Sequence, residues 1–283
     1  MTPPVATWAV RAWLDLMELA PAGVDEFVAG AAVSRPARVF GGQLLAQGLR
    51  AAGLTVAGAG LQPAALHAQF VRAGRADGEL CYRVERVHDG RSTAWRAVVA
   101  SQDGQTVCRL EASFCRPGRG VDFHGGALPP VPAPEPPVPG PLAYDLSWSV
   151  LPRVVELRRV PRPTPDSVPV AAAWLRAADR LPDDPLVHAT LLAWASDLTA
   201  SDCVTQFYGA VPGDGAVAVA SLDHHLWFHR SVRADDWLLL DQRSEIAAAG
   251  RALTTGAIYA ENGDRIASLT QLALARPSKG ALR

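Results

Sequence analysis

The sequence predicts an α+β protein made of two tandem units, each a helix followed by an antiparallel sheet. Three observations predict it. First, the chain repeats itself: in the stretches beginning at Phe70 and Phe228, Phe70 matches Phe228, Arg72 matches Arg230, and Arg75-Ala76-Asp77 matches Arg233-Ala234-Asp235. Asp103-Gly104 then matches Asn262-Gly263 after a one-residue slip, and self-similarity on this scale marks a duplicated unit. Second, "ALPPVPAPEPPVPGP" at 127–141 is too rich in proline for a helix or a sheet interior and reads as an extended connector. Third, each copy shows one helical period followed by alternating runs and tight-turn dipeptides. The expected division is an N-terminal unit at 1–120, a proline-rich linker at 121–145 and a C-terminal unit at 146–283.

In chain order, "GGQLLAQGLRAAGL" spaces Leu44, Leu45, Leu49 and Ala52 along one helix. Strand-like runs follow at roughly 63–72, 78–88, 92–102 and 105–115, with "QDGQ" as a tight hairpin between the last two. In the second unit "DPLVHATLLAWASDLTA" is the helix, with Asp183 or Asp184 as its cap and Pro185 in its first turn. Strands are expected in "AVAVASLDHHLWFHR", "DDWLLLDQRSEI", "RALTTGAIYAE" and "RIASLTQLALA", the last hairpin turning at "ENGD" with a second two-residue signal. Helices on one face of each antiparallel sheet would bury its apolar side.

The chain has 283 residues, about half of them apolar, which suffices for a sizeable core. Its net charge is −1 with no clustered basic patch, which argues against a nucleic-acid binder. The first twenty residues do not resemble a signal peptide, because Arg11 and Asp15 interrupt the apolar run. No apolar stretch is long enough to span a bilayer, and the C-terminus is not a peroxisomal address. A cytoplasmic protein without membrane partners is expected. Cys81, Cys108, Cys115 and Cys203 are scattered and fit reduced thiols.

The motifs "RVFGGQLLAQGL", "DGRSTAWRAVVASQDGQ", "WASDL", "LDHHLWFHR" and "DDWLLL", in this order, resemble the TesB-type acyl-CoA thioesterases, the thioesterase II family. The resemblance runs from about Val39 to Arg276, omitting the linker. It implies a double hotdog fold and hydrolysis of fatty acyl-CoA to a free acid and CoA, without a cofactor. It further implies a water held by Asp197, Ser221 and Gln271, from "ASDL", "ASLDHH" and "SLTQ". Family members assemble beyond one chain, so a homodimer or homotetramer is expected. The chain departs from the family at "HAQFVRAG", where Gln69 and Ala73 are unusual, and at Trp95. These positions bear on acyl length more than on reaction type.

The chemistry suits these residue types. Water is a poor nucleophile at neutral pH, and a carboxylate in a partly dry site can take its proton. Asp197, read as near the middle of an apolar helix, would be costly without partners, which Ser221 and Gln271 supply. Gly41 and Gly42 let backbone come close to the thioester or to a neighbouring helix, and first-turn N–H groups there are natural oxyanion donors. With Gln43 and His67 they form the candidate substrate-binding set. Ser113 occupies the repeat position of Gln271, so one working site per chain is expected.

Other readings are weaker. His224, His225 and His229 suggest zinc, but on a strand His224 faces opposite to the other two, and no Cys or further His completes a site, so no metal is expected. Asp223 reads as pairing with nearby backbone, and Arg72 and Arg230 as fold residues or phosphate contacts. There is no GxSxG elbow, and "PSKG" lacks the glycines of a phosphate loop. A hotdog hydratase would want a His beside the acid on the working helix, and His188 lies nine residues before Asp197. An acyl-CoA-binding protein without turnover is the non-enzymatic alternative.

Overall fold

The computed structural model describes residues 5–29, 38–135, 154–160, 169–207 and 217–278. Among these residues four helices are seen: α1 Val5–Leu16, α2 Gly41–Leu54, α3 Pro185–Ser196 and α4 Asp202–Phe207. The strands of the first half are β1 Leu19–Gly23, β2 Glu26–Ala29, β3 Gln62–Phe70, β4 Leu80–Asp89, β5 Thr93–Gln102 and β6 Gln105–Cys115. Those of the second are β7 Val155–Val160, β8 Val170–Ala177, β9 Val217–Ser221, β10 Asp223–Phe228, β11 Leu238–Ala248, β12 Arg251–Ala260 and β13 Arg265–Pro277.

Among the described residues the strands form one antiparallel sheet in the order β1-β2-β4-β5-β6-β3-β10-β13-β12-β11-β8-β7, with β9 added against β13. The order is a mirrored repeat. β1–β2 answers to β7–β8, β4-β5-β6 to β11-β12-β13, and β3 to β10. The half-sheets join at the β3–β10 pair, in register from Asp223↔Gln69 to Trp227↔Ala65.

α2 and α3 lie inside this curved sheet, and their sequences show why. α3 is almost wholly apolar, and a helix apolar all round is a buried one. Asp184 caps it by accepting the Leu186 N–H at 2.9 Å, with Pro185 at the first position, as expected. Leu44, Leu45, Leu49, Ala51 and Ala52 of α2 are buried, and so are its polar Gln43 and Gln47. The two glutamines are satisfied as a chain: Gln43 donates to Gln47, Tyr82 Oη donates to Gln47 Oε1 at 2.8 Å, and Gln47 donates to the Leu16 carbonyl. The helices run antiparallel at close range. A Cβ on Gly42 would strike the Trp194 carbonyl, and one on Gly53 would come within 2.5 Å of Leu186 Cδ2.

α2 and the four strand runs of the first half fall where the sequence predicts. Two features differ, the run at 216–230 and the "ENGD" turn, while "QDGQ" is the tight hairpin expected. The run at 216–230 is two strands, because Leu222 breaks step: its N–H bonds the Leu272 carbonyl while its own carbonyl accepts the Phe70 N–H. "QDGQ" is a two-residue turn with Asp103 at φ 51° and Gly104 at φ 72°. "ENGD" is longer: Ala260 N–H bonds the Asp264 carbonyl and only Gly263 takes positive φ, which is the pattern of a three-residue loop closed by glycine. α1 and the β1–β2 and β7–β8 hairpins were not predicted.

The proline segment is no free spacer over 127–135. Leu128 and Val131 pack against Trp174, Trp237, Leu239 and Tyr259 on the outer face of the second half-sheet, and Trp174 Nε1 donates to the Pro132 carbonyl at 2.9 Å. The rest of that segment, 136–141, lies outside the described residues.

Candidate active site

Two helix ends meet under the sheet. α2 begins at Gly41 and α3 ends at Ser196, so the positive end of one dipole faces the negative end of the other. Asp197 is the residue following α3, with φ −86° and ψ −8°. The expectation that it sits near the middle of the helix is corrected: α3 stops one residue earlier. A helix end is where backbone loses its own partners and a polar side chain can turn inward.

Three donors converge on the Asp197 carboxylate: the Gly42 backbone N–H, the Gln271 amide and the Ser221 hydroxyl. Each favours the ionised form, yet burial outweighs them and pushes the pKa up to about 7. Gly41 must be glycine here, since a Cβ would come within 2.6 Å of Asp197 Oδ2 and 3.1 Å of Phe70 Cζ. Ser221 closes β9, and Gln271 sits on the inner face of β13, where it is 1% exposed. Gln271 Nε2 also donates to Ser221 Oγ at 2.9 Å, which leaves the hydroxyl proton for Asp197. Asp223 accepts the Leu272 N–H at 2.9 Å and so clamps β10 to β13 beside the site.

A cavity of about 670 Å³ opens onto this group. Gly41, Asp197 and Ser221 line it, together with Phe40, Phe70 and Leu44 from the first half and Val217 and Val219 from the second. Arg38 and Arg72 also line it. The wall is thus apolar around Phe40, Phe70, Leu44, Val217 and Val219, with Asp197 and Ser221 at one place and Ser201, Asp202, Thr205 and the two arginines at others, a chemistry suited to an apolar group carrying a polar, anionic handle.

Of the expected residues, the structure brings together Asp197, Ser221, Gln271, Gly41 and Gly42. It does not bring in Gln43, which is turned into the Gln47–Tyr82 chain. Nor does it bring in His67. On β3 the residues either side of it, Leu66 and Ala68, face the helices, so His67 lies on the outer sheet face against His225 and Trp227.

One member of the group was missed. His224 is fully buried on β10, with Nδ1 2.5 Å from Gln271 Oε1 and Nε2 2.9 Å from Ser196 Oγ. Burial lowers its pKa to about 4, so it is neutral near pH 7. The alternation of the strand already placed it opposite to His225, toward the helices.

The first half has a matching junction, and it is filled. Cross-strand registry sets Leu66↔Ala112 where the second half has His224 beside Gln271, and Arg96↔Ala112 where it has Thr254↔Gln271. The counterpart of Gln271 is therefore Ala112, on the inner face, and Ser113 points outward; the one-residue slip seen at Asp103-Gly104 continues through this strand. Thr55, which follows α2 as Asp197 follows α3, accepts Arg96 Nε at 2.6 Å. The Arg96 side chain is 1% exposed and also donates to the His88 and Trp95 carbonyls and to Asp89. A guanidinium occupies this junction, where the other has a carboxylate and a cavity.

Comparison with known proteins agrees with this geometry. The model of the acyl-CoA thioesterase N-terminal domain matches residues 32–116, and that of the C-terminal domain matches 127–275. Acyl-CoA thioesterase 2 of Haemophilus influenzae is 30% identical over 262 residues, covering 86% of this chain and 89% of that protein. The crystal structure of an acyl-CoA thioesterase II, TesB2, from Mycobacterium marinum is 35% identical, with a TM-score of 0.80, covering 94% of this chain and 98% of that one. A structure described as having a hot dog fold, from Alicyclobacillus acidocaldarius, is 22% identical with a TM-score of 0.78, covering 94% of this chain and 98% of that one, and shows the fold. Two such units in one chain make a double hotdog.

Proposed function

The chain belongs to the acyl-CoA thioesterase family and hydrolyses acyl-CoA thioesters, and we propose that Asp197, Ser221 and Gln271 carry out that hydrolysis. The observation that carries this reading is the convergence of Gly42 N–H, Ser221 and Gln271 on one buried carboxylate at the cavity floor.

In this reading a water donates one hydrogen bond to Asp197, whose carboxylate Ser221, Gln271 and the Gly42 N–H hold in place. Its oxygen attacks the thioester carbon while its proton passes to Asp197. The carbonyl oxygen becomes an oxyanion, for which the amide of Gly41, a cavity-lining residue at the positive end of α2, is the candidate donor. Collapse of the tetrahedral intermediate expels the CoA thiolate, and Asp197 returns the proton to it. The products are a carboxylic acid and CoA. A base with a pKa near the working pH suits this exchange, and positioning of the water can itself lower the barrier by up to roughly 7–11 kcal/mol. The apolar walls around Phe40, Phe70, Leu44 and Val219 fit a fatty acyl chain, and Arg38 and Arg72 are placed to meet CoA phosphates.

Free-thiol release from acyl-CoAs of increasing length tests the reading. Asp197→Asn should lower kcat by about 10²–10⁴-fold, and the acid limb of wild-type kcat/KM should fall near pH 7, where Asp197 loses its proton. Undiminished hydrolysis by that variant would place the base elsewhere.

The same reading includes the unit boundaries 1–120, 121–145 and 146–283, a cytoplasmic setting and a homodimer or homotetramer. Burial of Cys108 and Cys203, which pushes both thiols up to about 12, supports reduced, inert cysteines. Trp95, 44% exposed on the outer sheet face, supports self-association. Light scattering that finds only the mass of one chain would overturn the oligomer.

A further inference from the structure

We infer that His224 is a positioning residue for hydrolysis, holding the Gln271 amide in the one orientation that points its Nε2 group at Ser221 and Asp197. The inference rests on the assignment of Asp197 as the base.

A glutamine amide is nearly symmetric in shape, and its two ends differ only in what they can do. Oε1 accepts and Nε2 donates. Toward Ser221 and Asp197 only the donor end is useful, because a carboxylate accepts and cannot donate. The amide needs a partner behind it that rejects the reversed orientation. His224 Nδ1, 2.5 Å from Oε1, is that partner when it carries the ring proton. Which nitrogen carries the proton is set from the other side, where Nε2 lies 2.9 Å from Ser196 Oγ, within reach of the hydroxyl as donor. The hydroxyl also lies 2.9 Å from the Ala193 carbonyl, and the Nδ1–H ring requires it to turn its one proton to Nε2 instead, because a hydroxyl donating to the carbonyl would set its lone pairs against a bare nitrogen.

These contacts form a closed loop. It leaves α3 at Ser196, crosses to His224 on β10, passes to Gln271 on β13 and returns to Asp197, the residue next to Ser196. The base is thereby tied to its own neighbour through two strands. The imidazole is enclosed, 0% exposed, and remains neutral over the working range, which suits a fixed donor and not a proton shuttle. The ionisable groups that act on it are His225 and Asp223 on its own strand, with Asp197 on the α3 side reached through Gln271. In the first half the corresponding pair is Leu66 and Ala112, so the histidine accompanies the glutamine and is absent where the glutamine is absent.

The test compares His224→Leu, His224→Asn and Ser196→Ala with wild type and with Asp197→Asn. Asn places an N–H close to where Nδ1–H was, and Leu places none. His224→Leu should lose about 10²-fold in kcat, the scale of an approximately 1 Å misplacement of a catalytic group, with KM for acyl-CoA changed less than about threefold. The acid limb of kcat/KM should move to higher pH, because a donor that favours ionised Asp197 is lost. His224→Asn should recover to within about tenfold of wild type, and Ser196→Ala should show a smaller loss with the same direction of pH shift. If His224→Leu fails to fold, His224→Asn and Ser196→Ala decide the matter through the acid limb. Asp197→Asn inactive with every His224 and Ser196 variant at wild-type kcat and unshifted pH profile would overturn the positioning role alone. An Asn variant no better than a folded Leu variant would also overturn it. An active Asp197→Asn would overturn the base assignment on which it rests.

Discussion

Asp197 holds its proton near neutral pH because burial outweighs three hydrogen bonds, and that has a consequence for stability as well as for rate. Its native pKa is about 7 and its ordinary value is 3.8. Between those values the native state binds a proton that the unfolded state has released. The resulting stability is complete below about pH 3.8 and is lost as pH rises through about 7. Each tenfold difference in proton affinity between the two states corresponds to about 1.4 kcal/mol, so the charged site costs the fold on the order of a few kcal/mol above pH 8. Asp197→Asn has no such cost. Its melting temperature relative to wild type should climb between pH 5 and pH 8.5, by several degrees, even as activity vanishes; melting curves at both pH values check this. Asp197, Ser221 and Gln271 were legible only through their resemblance to a family, since each alone suits an ordinary cap or sheet residue. His224 was seen as one of three histidines and set aside with zinc. Its role depends on what lies across the strand pair, which spacing along one strand does not reveal.

At the scale of elements, the α2–α3 pair decides where chemistry can occur. Both ends of α2 carry a glycine at the crossing, but they differ in what they meet. Gly42 abuts the Trp194 carbonyl, which is backbone and cannot move aside. Gly53 abuts the δ-carbons of Leu186, the far end of a flexible side chain. Gly42→Ala should therefore destabilise by about 1–3 kcal/mol through overpacking and, by displacing the N–H that Asp197 accepts, reduce kcat at least tenfold. Gly53→Ala should cost less than about 1 kcal/mol, since the loss of glycine flexibility offsets part of the strain, and should leave kcat unchanged. Chemical denaturation and initial rates on the two variants check both. α2 and the first-half strands were readable because their periods are clean: Leu44, Leu45 and Leu49 at helical spacing, and β4 and β5 in alternation. β8 was not readable, because "VAAAWLRA" is buried on nearly every residue and shows no alternation. β1 and β2 were hidden by shortness, five and four residues with one strongly buried position each.

For the whole molecule, two like halves enclose two unlike junctions. The carboxylate junction opens to a cavity, and the guanidinium junction is packed. Arg96 satisfies Thr55 and two strand carbonyls there, so its removal strands several acceptors. Arg96→Met should lower stability by about 2–4 kcal/mol and leave kcat within about twofold of wild type, because neither Arg96 nor its partners Thr55, His88, Trp95 and Asp89 line the cavity. A parallel drop in kcat at temperatures where the variant is folded would contradict the separation. The duplication itself was plain in the sequence from Phe70 and Phe228 onward, but the assignment of Ser113 opposite Gln271 was one residue out. Strand pairing corrects such a slip because every residue moved by one changes face.

The filled junction also fixes a count. Two identical hotdog units paired about a twofold axis would present the same residues at both helix crossings, so every such pair would offer two equivalent places to react. Here covalent fusion has let one crossing become pure packing. Among the described residues each polypeptide then has one carboxylate junction, so titration with a non-hydrolysable acyl-CoA is expected to end at one equivalent per chain. On that count, a departure from simple saturation in an assembled enzyme is expected to arise between chains.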